Sequence, residues 1–80
     1  MDIQLIQGEF SAKDSLNIVG EMIRVKIRFH ENAITHHSSE EDIKYRESKI
    51  KYLQEQMHEL KNQLLQRGQK LSLHATITME

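Results

Sequence analysis

The sequence predicts an α+β fold in the order strand, helix, helix, strand: a long antiparallel helical hairpin with short flanking strands, forming a single domain over residues 1–80. Three patterns carry this expectation. Residues 70–79 read as a strand, apolar and polar side chains alternating without exception from Leu71 to Met79, as in a half-solvated strand. Residues 40–67 hold apolar side chains at heptad spacing. Residues 11–30 hold apolar side chains at helical spacing, in two stripes rather than one.

The first strand is expected over residues 2–7. Ile3 and Leu5 alternate with Gln4, Ile6 breaks the period, and Gly8 comes next but one, which points to a bulge or a change of facing that puts Ile6 and Phe10 on the other phase. The first helix starts at Ser11, whose hydroxyl can accept a backbone N–H while Asp14 reaches back, and runs to about His30. Its stripes are Leu16, Val19, Ile23 and Ile27, and then Ile18, Met22, Val25 and Phe29. The polar remainder is Asn17, Gly20, Glu21, Arg24 and Arg28. Such a helix should touch two different surfaces, although Val25-Lys26-Ile27 also has strand character.

Residues 31–39 form the connector, and Ser38 or Ser39 can cap the second helix. That helix should run from about Glu40 to Arg67 and stop at Gly68. Glu40, Glu41 and Asp42 suit its positive end, and Arg67 and Lys70 its other end. Glu40–Lys44, Asp42–Arg46 and Glu47–Lys51 stand at pairing distance. The seam is Ile43, Ile50, Leu53, Met57, Leu60 and Leu64, interrupted early by Arg46. The helices are expected to span roughly 28 and 42 Å, so that two or three turns of the second, with Ile43, Tyr45 and Tyr52, overhang the first.

Composition narrows the function. Without cysteine there is no disulfide, thiolate metal site or cysteine nucleophile, and a reducing cytoplasm suits the chain. A net charge of −1 lacks the basic excess by which proteins hold phosphate backbones. No apolar run approaches the roughly 20 residues of a membrane span, and Met1-Asp2-Ile3-Gln4 does not resemble a signal peptide. Chains this short bury little surface and often depend on partners, and two strands do not make a stable sheet alone. A homodimer is therefore expected, with another protein partner as the alternative.

Gly8-Glu9-Phe10-Ser11, Lys26-Ile27-Arg28-Phe29-His30 and Ser48-Lys49-Ile50-Lys51-Tyr52-Leu53 resemble a family of small bacterial proteins of about 80 residues, for which no activity is established. They share a Gly-x-Phe-Ser/Thr start, a Lys-Ile-x-Phe-His helix end and a final alternating strand. The resemblance implies the same element order and no catalytic residue.

Side-chain chemistry marks the candidate sites. His30, His36 and His37, near Glu31, Glu40 and Glu41, are metal-ligating types, but their spacing matches no known zinc pattern. A solvated loop, with His30 complementing a helix C-terminus, is the simpler reading. His58 and His74 are expected at the surface. Ser38 or Ser39 beside His37 lacks the surroundings of a nucleophile and reads as a cap. Arg24 and Arg28 with neighbouring lysines make a possible nucleic-acid patch, but Glu21 shares that face. No cofactor and no enzymatic activity are expected. The interface candidates are Ile18, Met22, Val25 and Phe29 on the first helix, and Ile43, Tyr45, Ile50, Leu53, Met57, Leu60 and Leu64 on the second. Some of these must serve the chain's own core. The leading expectation is a non-enzymatic structural or interaction module acting as a homodimer. A nucleic-acid regulator and a metal-binding protein are the alternatives.

Overall fold

The computed structural model describes residues 1–67 and 70–80. Its order is β1 (Asp2–Phe10), α1 (Ala12–Ala33), α2 (Glu40–Arg67) and β2 (Leu71–Thr78). The two strands pair with each other, antiparallel, within one chain. Helix wins at Val25–Ile27, where both apolar stripes of α1 continue through the segment. The expected stop at Gly68 lies outside the described residues.

β1 is longer than the 2–7 expected, and its bulge falls at Leu5 rather than at Gly8. The register shifts between Gln4 and Ile6, so Ile3 opposes Ile77 and Ile6 opposes Ala75. Residues directly opposite share a face. One face of the sheet therefore holds Ile3, Ile6, Gly8 and Phe10 with Leu71, Leu73, Ala75 and Ile77, and the other holds Asp2, Gln4, Gln7 and Glu9 with Ser72, His74, Thr76 and Thr78. The bulge is the device that puts Ile3 and Ile6, three residues apart, on one side. Gly8 has φ +136, a conformation that side chains disfavour.

Both helices are capped by serine. Ser11 Oγ accepts from Asp14 N at 3.0 Å, without a return bond from the Asp14 side chain. Ser39, not Ser38, caps α2, accepting from Asp42 N at 3.1 Å. Ser38 Oγ instead accepts from Thr35 N at 3.0 Å and closes the connector turn.

The large overhang does not form. Gly20 lies against Met57, and His30 meets Arg46, so α1 accompanies α2 through most of its length. Two causes combine: α1 continues three residues past His30 to Ala33, and the remaining difference in length is divided between the two ends of α2, since Gly20 lies opposite Met57 and His30 opposite Arg46. Tyr45 and Tyr52 thus stand beside α1 rather than beyond it. Gly20, expected on the solvated side, is buried. The side of α1 that faces α2 reads Leu16, Gly20, Ile23 and Ile27, with Gly20 giving Met57 room.

Both strands approach α1 within 8 Å between Cα atoms, and among the described residues neither so approaches α2. The result is a thin plate of 45 × 34 × 14 Å. Such a shape cannot enclose a large core. Among the described residues, Ile6, Leu53 and Leu64 are the buried hydrophobics, and the one fully buried side chain is Ser15, whose Oγ has no hydrogen-bond partner. The radius of gyration is 15.3 Å, where a compact chain of this length has about 12 Å.

Candidate interaction surface

The two stripes of α1 follow from 3.6 residues per turn, and the structure separates their tasks. Leu16, Ile23 and Ile27 are half-buried toward α2. The α2 seam answers them: Leu53 and Leu64 are buried, and Ile43, Ile50, Met57 and Leu60 are half-buried. These residues close the hairpin of the single chain. The second stripe divides along its length. Ile18 and Met22 are half-buried, whereas Val25 is 57% and Phe29 63% exposed. Tyr45 and Tyr52 are similarly exposed.

Toward the connector the seam changes character. Arg46, at the interrupted heptad position, reaches across to α1, its Nη1 2.9 Å from His30 Nδ1. A guanidinium has no acceptor, so the imidazole accepts and carries its proton on Nε2. The same guanidinium carbon stands 5.5 Å from the Phe29 ring centroid and 5.6 Å from that of Tyr45, and Lys49 Nζ lies 5.5 Å from the Tyr45 ring. Partial desolvation, then the charges of Arg46, Lys26 and Lys49, hold the His30 imidazole below its usual pKa. None of the three expected pairs of α2 closes as an ion pair; among the described residues the ion pair present is Arg24–Glu21. Arg46 turns from Asp42 to His30 and Phe29 because that side offers two ring faces and a ring nitrogen together.

The other candidates are dispersed. Arg24 is tied to Glu21, and Arg28 is exposed. His36 and His37 are exposed in the connector turn with ring centroids 4.0 Å apart. Among the described residues no three side chains of His, Cys, Asp or Glu come together in a way that could hold a metal ion. No helix is long and apolar enough to cross a membrane among the described residues.

Two apolar hollows flank the hairpin. One, of about 400 Å³, lies between hairpin and sheet, with Ile6, Met22, Ile23, Leu53 and Leu73 as walls and Lys26 and Tyr52 beside them. The other, of about 410 Å³, is formed by Ala12, Leu16, Leu64 and Leu65, with Lys13 and Lys61 alongside. Leu65 is 83% exposed. Sequence reasoning missed Leu65 and the cluster of Lys26, Arg46 and Lys49. For the cluster there was a signal: a cation at a seam position needs a specific partner across the seam. Leu65 carried none, since one leucine beside the seam is unremarkable by spacing.

Comparison with protein families, curated proteins and solved structures finds no match for this chain. The resemblance to small bacterial proteins gains no support from them, and the functional reading rests on the surface itself.

Proposed function

We propose that this chain is a non-enzymatic structural or protein-interaction module that works as a homodimer. The observation that carries the proposal is an excess of surface. The chain exposes 6448 Å². A compact monomer of 9.4 kDa exposes about 5,000 Å². The difference, roughly 1,400 Å², exceeds the ~800 Å² that each partner contributes to a standard interface. Val25, Phe29, Tyr45 and Tyr52 on the hairpin are among the apolar side chains left exposed. A cytoplasmic location is part of the proposal, since a chain without cysteine needs no oxidising compartment.

Sedimentation equilibrium from low micromolar to about a hundred micromolar tests it. The expected result is twice the chain mass, with Phe29→Glu shifting the population to monomer by placing a carboxylate in the apolar contact. A wild-type chain that stays monomeric throughout the range overturns the reading.

One observation favours a second reading. Arg46 stands over exposed Phe29 and Tyr45, and Lys49 over Tyr45, the pairing of cations and rings on which single-stranded nucleic acid stacks. Salt-dependent retention of a single-stranded oligonucleotide that Lys49→Ala reduces is its test, and no retention at low salt removes it.

A further inference from the structure

We propose that the free edge of β2 is the seam of the homodimer, where two copies pair antiparallel around a twofold axis into one four-stranded sheet, β1-β2-β2-β1. The inference rests on the homodimer reading and adds its location.

A two-stranded sheet leaves each strand one unpaired edge. The two edges differ. β1 is interrupted by the bulge at Leu5 and by Gly8 at φ +136, and carries the charges of Asp2 and Glu9. These are the features that keep an edge from recruiting another strand. β2 has none of them. Leu71–Thr78 contains no Asp, Glu, Lys, Arg, Gly or Pro, and its apolar and polar residues alternate without a break. It is the unguarded edge.

Facing then limits the pairing. A twofold axis perpendicular to the sheet keeps the same face up in both copies, so the apolar faces merge if odd-numbered residues of β2 oppose odd-numbered ones. Two such registers lie nearest the middle of the strand: His74 opposite His74 of the second copy, or Ala75 opposite Ala75. Either places all four helices on one side and leaves Ser72, His74, Thr76 and Thr78 on the other. The hollow between hairpin and sheet is lined by Leu73, His74 and Ala75 of β2 but by Ile6 alone of β1. A copy joined at the β2 edge therefore meets this hollow and extends the cover over Ile77, now 44% exposed. The excess of surface is large enough to supply both the strand pairing and that cover.

Because the chain has no cysteine, single cysteines report the pairing cleanly. Residues directly opposite stand with Cα atoms about 4.5–5.5 Å apart, within disulfide range. After mild oxidation, a disulfide-linked dimer is expected from His74→Cys alone, or from His74→Cys mixed with Thr76→Cys, according to the register. Gln4→Cys, on the solvated face of β1, should give none. Thr76→Lys, at an exposed position, should raise the dimer dissociation constant by about tenfold or more, because a lysine on the pairing edge opposes strand addition. If the wild-type chain is monomeric, the homodimer reading and this inference fall together. If it is dimeric but neither β2 pair crosslinks and Thr76→Lys changes nothing, while Phe29→Glu dissociates it, the homodimer stands and the β2 seam is wrong.

Discussion

The two ends of the hairpin are held together by different physics. Near the sheet, Leu16, Gly20 and Ile23 meet Leu53, Met57 and Leu64, and the contact is apolar packing. Near the connector the same two helices are joined by Arg46, His30, Phe29 and Tyr45, and the contact is a cation among rings. The first end holds two of the chain's buried hydrophobics at 7% and 6% exposure; the second leaves Phe29 at 63%. Packing at the sheet end sets the stability of the chain, whereas the connector end depends on charge and leaves its rings exposed.

The largest effect is expected at Leu53, which lines the hollow beside the sheet and packs in the α1 seam. Leu53→Ala should cost about 2–4 kcal/mol by thermal or urea unfolding, since so thin a plate has little material to collapse into the cavity. A loss below 1 kcal/mol would mean that the seam is looser than its burial indicates and that the two ends are alike. The sheet is expected to be nearly as sensitive at one backbone position. Gly8→Ala forces a side chain into φ +136 and should cost about 1–3 kcal/mol, although the added Cβ meets nothing closer than Phe10 Cε2 at 3.9 Å. Strain without collision is thus separable: relief of the loss by shortening Phe10 would show that crowding, not φ, was responsible.

At the connector end the expected effect is smaller and depends on pH. Arg46→Ala removes a partly exposed cation–π contact worth about 0.5–1 kcal/mol and one of the charges opposing protonation of His30. His30 should therefore titrate below the ordinary histidine value in the wild type and move upward in the variant, as followed by NMR of the imidazole protons. The folded state holds His30 neutral more firmly than the unfolded chain does, so the unfolded chain binds more protons as pH falls. Stability contributed by this site is intact above about pH 6.5 and declines below it. A His30 resonance that titrates at or above the ordinary value would dissolve the distinction between the ends.

The contrast also marks how far the sequence could be read. Strict alternation in β2 and heptads in α2 have one structural solution each, so element order and hairpin were legible. The bulge was legible in kind but not in place. Ile6 out of phase with Ile3 requires one extra residue between them, while Gly8 drew attention because it is glycine; only the partner strand fixes the bulge at Leu5. The overhang was misjudged because helix ends are set by caps rather than by stripes: α1 continues through Glu31-Asn32-Ala33, where no large apolar residue announces it. In the candidate surface, the exposed stripe of Val25 and Phe29 was visible from spacing alone. The division of labour between seam and stripe was not, because both are apolar at the same period. Arg46 was visible as an irregularity whose partner, sixteen residues back, only the fold supplies.

Gly20 is the smallest and most discriminating case, because its effect has the opposite sign. Glycine within a helix is about 0.8–1 kcal/mol less favourable than alanine. It is tolerated where two helices must approach closely, and at Gly20 the approach is near but incomplete. A Cβ built there would stand 3.4 Å from Met57 Cε, 3.6 Å from Met57 Sδ and 3.7 Å from Arg24 Nη1. All three are ordinary contacts, and two belong to the flexible end of a methionine, which can yield by a few tenths of an ångström. Gly20→Ala is therefore expected to stabilise the chain by about 0.5–1 kcal/mol, a rise in melting temperature of roughly 2–8 °C for a domain of this size. A fall instead would show that the helices at the sheet end lie closer than these distances and that the seam has no slack. That end would then be rigid enough to explain why the chain leaves its adaptable, exposed side chains at the other.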